Sequence, residues 1–262
     1  MEALLALPVA IPLRNHVISR SRAVLRDVSR SQALCTVCQV RDKCLSEGLD
    51  GATAKRVDEI VTTRLRLRKG DTLYRAGASF SALYAIRSGS LKTVLLAEDG
   101  RDQVAGYHMT GEIVGLDGIG GNVHECQAIA LEDSEVCVLP FDRIEQVARE
   151  HASFQHNVHR SLSREIGRQR SLMLLLGTMR ADQRLAAFLL DLSERYHARG
   201  YSSSEFILRM TREEIGSYLG LKLETVSRLL SRLQQEGLIQ VQGRVVKLLE
   251  RAALKALVGQ SS

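Results

Sequence analysis

Eleven of the chain's 20 glycines fall between residues 51 and 140, and this partition constrains the fold more than any other feature. Turn signals recur at Gly70, Gly77, Gly89, Gly100, Gly106 and Gly111. Between and after them run short β-rich segments, Leu83–Arg87, Leu91–Leu96, Val104–His108 and Glu135–Leu139. Strands this short and this regularly punctuated predict an antiparallel sandwich or barrel. Asp99-Gly100 is a hairpin-type dipeptide between the second and third of them.

Helical periodicity takes over after Pro140. No proline interrupts Phe154 to Met179, and Val158, Leu162, Ile166, Gln169, Met173 and Leu176 recur at steps of three and four residues. This spacing predicts one long helix, about 39 Å at 1.5 Å per residue, with a coiled-coil-like seam. A single polar residue such as Gln169 in a seam can set register and dimer state. From residue 181 the pattern is mostly helical, with a strand pair near the end. The expected divisions are an N-terminal segment (1–50), a β-domain (51–140), a dimerisation helix (141–180) and a C-terminal domain (181–262). Residues 1–30 are expected to be weakly ordered.

Composition excludes several classes. With 262 residues the chain can bury a sizeable core. No apolar run reaches the roughly 18 residues that a membrane span needs. Glu2 stands where a signal peptide carries a basic region, and Arg14 closes a short apolar run. The five cysteines therefore suggest metal or redox chemistry in a cytoplasm rather than a disulfide framework. The net charge is +6, unevenly placed: residues 51–140 carry 10 Lys or Arg against 12 Asp or Glu, and residues 180–262 carry 13 against 9. An acidic middle beside a basic C-terminal third suits a sensing module joined to one that meets phosphates.

Residues 211–237 carry the first functional motif. Thr211 and Glu214 form a capping box. A short helix bearing Ile215, Tyr218 and Leu219 ends at Gly220, and a second helix starts near Leu223 and ends at Gly237. Helix, glycine turn, helix is the helix-turn-helix signature. The second helix buries Val226, Leu229, Leu230 and Leu233 and leaves Glu224, Ser227, Arg228 and Ser231 on one other face. In a major groove Arg donates two bonds to guanine, Glu accepts from cytosine N4, and Ser serves either role. Two apolar strands around Gln242-Gly243-Arg244 complete a wing.

The second motif is Cys35-x2-Cys38-x5-Cys44. Three thiolates so close suit zinc or an iron–sulfur cluster, and the spacing alone does not separate the two. A fourth ligand comes from elsewhere, with Cys126 and Cys137 as candidates. No G-x-G-x-x-G, P-loop or H-E-x-x-H is present, so a redox enzyme finds no second cofactor site.

Taken together, these residues resemble the FNR (fumarate and nitrate reduction regulator) branch of the cyclic-AMP receptor protein superfamily. The resemblance covers roughly residues 30–255. It rests on the cysteine trio, LYAIRSGSLK at 83–92, GEIVGLDGIG at 111–120, VCVLPF at 136–141 and LGLKLETVSRLLSR at 219–232. It implies an α+β chain: an N-terminal antiparallel β-roll (jelly-roll-like) sensory domain, a long dimerisation helix and a C-terminal winged helix-turn-helix. It also implies that Cys35, Cys38, Cys44 and Cys137 ligate a 4Fe–4S cluster, while Cys126 matches no ligand. The family's E-x-x-S-R falls on Glu224, Ser227 and Arg228, so TTGAT-type inverted repeats are the implied double-stranded DNA target. The implied behaviour is a cytoplasmic, non-enzymatic transcription regulator, a homodimer that binds DNA at low oxygen and loses binding on cluster oxidation. RNA polymerase is the implied partner at the loop Leu96–Arg101.

Two further points refine what the likeness implies. Cyclic-AMP receptors hold the cyclic phosphate with an Arg-Ser or Arg-Thr pair; here the corresponding stretch is His124-Glu125-Cys126-Gln127, so no cyclic nucleotide is expected. Gln169 stands where the branch carries a seam Asp, so the cluster-free chain is expected to dimerise more readily. The alternative kept open is a regulator of the same superfamily with a structural zinc or a thiol switch.

Overall fold

The glycine-punctuated segment forms two antiparallel sheets in the computed structural model, which describes residues 26–27, 35–61, 63–96, 100 and 102–259. In chain order the elements are β1 (Arg26–Asp27), α1 (Gly51–Ile60), β2 (Thr63–Leu67), β3 (Thr72–Tyr74), β4 (Ala82–Ser88), β5 (Ser90–Leu96), β6 (Asp102–Met109), β7 (Ile113–Val114), β8 (Gln127–Ala130) and β9 (Ser134–Pro140). One sheet runs β1-β2-β9-β4-β7 and the other β3-β8-β5-β6, with every pair antiparallel. All four β-rich segments read from the sequence are strands. The predicted disorder of residues 1–30 falls, apart from β1, outside the described residues.

Two glycines show why the turns need this residue. Gly100 takes φ +82° in the β5–β6 connection, whose last paired residues are Leu96 and Asp102. Gly89, at φ +86°, joins β4 to β5; a Cβ there would lie 2.2 Å from Ser134 Oγ. Both the left-handed conformation and the close approach demand glycine. Ile86 of β4 and Val136 of β9 are buried in the core shared with Leu67 and Leu91, while Leu83 and Leu139 are buried in a second core, with α1 and α2. Each contributes about 1.5–3 kcal/mol of apolar burial.

The stretch after Pro140 is two helices. α2 (Phe141–Glu150) stops at His151, which is extended at φ −131° and ψ 102°. α3 (Ala152–Thr178) then runs for 27 residues, about 40 Å. The long helix predicted over Phe154–Met179 is thus present, and residues 141–150 form a separate element ahead of it.

The C-terminal third comprises α4 (Ala181–His197), β10 (Glu205–Ile207), α5 (Arg212–Leu219), α6 (Leu223–Gln235), β11 (Ile239–Gln242), β12 (Val245–Leu248) and α7 (Arg251–Gly259). Its sheet runs β10-β12-β11, so the two predicted wing strands gain a third partner. Leu185 and Leu189 of α4, Ile215 and Leu219 of α5 and Val226 and Leu233 of α6 form its core. No described helix is long and apolar enough to cross a membrane.

The two folded units touch. Lys92 Nζ of β5 donates to Glu214 Oε1 of α5 at 2.7 Å, and the Val104 amide of β6 donates to Ser217 Oγ at 2.9 Å. Tyr107, Phe188 and Tyr218 close the junction with ring centroids 5.0–5.9 Å apart.

Candidate metal centre and nucleic-acid interface

Cys35 opens a short 3-10 turn, Cys35–Val37, and Cys44 closes a second, Arg41–Lys43. Asp58 of α1 holds the first turn: its carboxylate accepts from the amides of Cys35 and Thr36 and from the Thr36 hydroxyl. Arg41 holds the second, donating to the Leu49 carbonyl at 2.7 Å. Cys137 arrives from the opposite side, on β9 between Arg64 of β2 and Ala85 of β4. Cys35, Cys38, Cys44 and Cys137 all line one cavity, whose walls include Val57, Ile86 and Leu139.

Electrostatics describe this cavity as a place where bare thiolates are unwelcome. Burial, with smaller contributions from the neighbouring thiols, pushes the Cys35 and Cys44 thiols up to about 12. Burial also raises Cys137, with Arg64 and Arg87 pulling it partly back. Thiols that repel one another once ionised, in a desolvated cavity, lose their protons when a cationic centre binds them. The donor set therefore fits a thiolate-held metal group. Among the described residues, no three His, Cys, Asp or Glu side chains are arranged to hold a single metal ion.

Cys126 lies elsewhere. It is buried, and its Sγ donates to Asp117 Oδ2 at 3.4 Å. It lines a second cavity of about 330 Å³ between the β-roll and α3. Leu162, Glu165, Ile166 and Gln169 form the α3 side of that cavity.

This placement shows what the predicted seam does within one chain. Val158 packs on the apolar core beneath the cysteine turns. Gln169 Nε2 donates to Glu165 Oε1 at 2.9 Å. Ile166 and Met173 nevertheless remain 52% and 72% exposed, and Leu176 is half-buried.

The face of α6 expected to read DNA is open. Thr211 and Glu214 form the predicted capping box, and Gly220 turns the chain in the left-handed region at φ +63°. A Cβ at Gly216 would lie 2.5 Å from the Leu221 carbonyl oxygen, so a second glycine, which no turn motif marks, lets the turn close. α6 buries Val226, Leu229, Leu230 and Leu233. Glu224 and Arg228 are exposed and Ser227 half-buried. Ser231 donates to the Ser227 carbonyl at 3.1 Å. Arg244 is exposed at the wing turn.

Residues 64–151 match the family model of the cyclic nucleotide-binding domain, and residues 183–257 that of the Crp-like helix-turn-helix domain. The chain is 48% identical over 235 residues to the transcriptional regulatory protein btr of Bordetella pertussis, covering 90% of this chain and 97% of that one. It is 41% identical to the transcriptional activator protein anr of Pseudomonas aeruginosa, covering 87% and 93%. It is 37% identical to the fumarate and nitrate reduction regulatory protein of Escherichia coli, covering 94% and 98%. The chain belongs to the FNR branch of the cyclic-AMP receptor protein superfamily. Among solved structures, FixK2 from Bradyrhizobium japonicum superposes with a TM-score of 0.70 at 30% identity, covering 76% of this chain and 98% of that one. A member of this branch with an open recognition helix is a DNA-binding transcription regulator.

Asp58 and Asn157 belong to no motif, and Glu112 lies in the GEIVGLDGIG segment without any sign there of its partners. Asp58 lies 22 and 23 residues from the amides it holds. Glu112 meets Arg168, Arg195 and Arg199, and Asn157 meets the turn after Cys44. These contacts join segments far apart in the chain, so no local spacing announces them.

Proposed function

We propose that this FNR-branch regulator responds to oxygen through a 4Fe–4S cluster held by Cys35, Cys38, Cys44 and Cys137. The observation that carries this reading is the single cavity lined by all four thiols. When bound, the cluster supplies an oxygen-labile bond between the N-terminal turns and β9.

The chain's own residues do the rest. Asp58 and Arg41 hold the cysteine turns in place, and α3 offers Ile166 and Met173 to a second copy. In a two-fold dimer the recognition helices lie about 34 Å apart, one per TTGAT half-site. Arg228 then faces guanine, with Glu224 and Ser227 beside it. Dimer and monomer form a two-state equilibrium, which the cysteine site biases only by its differential stabilisation of the dimer. Among the described residues, the cavity between β-roll and α3 is lined by Asp117, Glu125 and Glu165 and by no Lys or Arg, which supports the reading that a cyclic phosphate is not its ligand. The proposed RNA polymerase contact, Leu96–Arg101, lies mostly outside the described residues.

The test is anaerobic purification with iron and sulfide assay, followed by admission of air. The expected result is about four iron and four sulfide per chain, with affinity for a TTGAT inverted repeat falling as the colour bleaches. A colourless protein with one zinc and air-indifferent DNA binding would overturn the proposal.

A further inference from the structure

The turn that follows Cys44 is fastened to α3 by one side chain. Asn157 Nδ2 donates to the Leu45 carbonyl at 2.9 Å and to the Glu47 carbonyl at 2.8 Å. Both hydrogens of the amide are used. Asn157 is 5% exposed, and Leu45 and Ser46 are more deeply buried still. Asparagine is a poor residue for a helix interior, and nothing in α3 itself calls for it; the two carbonyls of the turn do. Glu47 adds a second fastening, meeting Arg160 at 3.2 Å and Arg164 at 3.3 Å. Asn157, Arg160 and Arg164 share one face of α3. Asn157 immediately precedes Val158, the first seam residue.

We infer that Asn157 is a positioning residue that couples the cysteine turns to the dimer helix. This inference rests on the proposed cluster reading and names the residue through which that site biases α3. An amide's two hydrogens are fixed in one plane, so they reach both carbonyls in only one placement of the turn. If the turn moves, either α3 moves with it or a buried amide and two carbonyls lose their partners. That makes the seam's geometry depend on the state of the segment carrying Cys44. Glu47 with its two arginines guides the same register from a more exposed position.

The test uses the full chain with Asn157→Ala and, separately, Asn157→Asp, which keeps the shape but removes the donors. Dimer dissociation constants are measured by sedimentation for cluster-loaded and cluster-free protein, and their ratio is compared with the wild-type ratio. Both variants are expected to bind wild-type iron and sulfide while the ratio shrinks about tenfold, the coupling lost with the bonds. A side chain that only stabilised the fold would weaken both dimers alike, and an unchanged ratio would overturn the inference. If neither variant folds, hydrogen exchange of the wild-type chain decides. Protection of 45–48 and of 154–161 is expected to fall together when the cluster is removed; independent behaviour would overturn the inference. Failure of the functional reading is distinguishable, because wild type itself would then carry no iron and sulfide, and the inference would fall with it.

Discussion

Glu112 of the β-roll and Arg195 of α4 meet at 2.9 Å in a site almost closed to water. Arg168 of α3 and Arg199 of α4 reach the same carboxylate, and Arg195 and Arg199 also donate to the carbonyls of Tyr107 and Thr110. One carboxylate thus fastens the β-roll to both the long helix and the first helix of the DNA-binding domain. Burial alone would raise the Glu112 carboxyl; the attraction of Arg195, Arg168 and Arg199 outweighs it and holds the group down to about 2.

Glu112→Gln should therefore destabilise the chain by about 3–5 kcal/mol at neutral pH, because it leaves buried guanidinium groups without their anion. Urea unfolding measures this. The sign of the pH effect follows from the lowered folded value. Glu112's charge contributes fully above the ordinary carboxylate range and is lost as pH falls from about 4.5 toward 2. The gap between wild type and variant should narrow over that window, and a constant gap would count against the ion-pair account.

The two β-roll cysteines should separate cleanly. Cys137→Ser removes one of four thiols lining the cavity and is expected to abolish iron and sulfide loading. Cys126→Ser changes a thiol bonded to Asp117 in another cavity and should load as wild type. Iron and sulfide assays on anaerobically purified protein compare them.

Arg228→Ala should weaken binding to a TTGAT inverted repeat by about 1–3 kcal/mol per half-site. Binding to unrelated DNA should change little, since Arg228 is predicted to read a base rather than a phosphate. Titration of specific and scrambled duplexes at one salt concentration tests both halves of the statement.

Met173→Glu places a charge on a side chain that is 72% exposed in the single chain. Monomer stability should stay within about 0.5 kcal/mol of wild type, while dimerisation and operator binding should be lost. Sedimentation and thermal unfolding together distinguish a seam residue from an idle surface methionine.

Much of this protein was legible in local pattern. The glycine-punctuated strands, the Thr211–Glu214 cap, the Gly220 turn and the apolar spacing of α6 are all short-range signals, each set by sterics or helical geometry within a few residues. The break at His151 was not legible, because no Pro or Gly marks it. Its imidazole faces Thr53 Oγ1 of α1 at 3.2 Å, a contact 98 residues away.

The seam shows the same division. Periodicity identified Val158, Leu162, Ile166, Gln169, Met173 and Leu176 as one stripe, since spacing along a helix fixes which residues share a face. Only the packing of α3 against the β-roll decided that Leu162, Ile166 and Gln169 line a cavity within the chain, and that Ile166 and Met173 also keep exposed surface. By itself the sequence determined the elements, the recognition face and a cysteine trio. Tertiary structure brought Cys137 into the cavity of that trio and set Cys126 in another, bonded Asn157 of α3 to the turn after Cys44, and gathered three arginines on Glu112. Periodicity and capping act over a few residues, whereas these contacts exist only once a sheet and a helix distant in the chain are brought together and water is excluded between them.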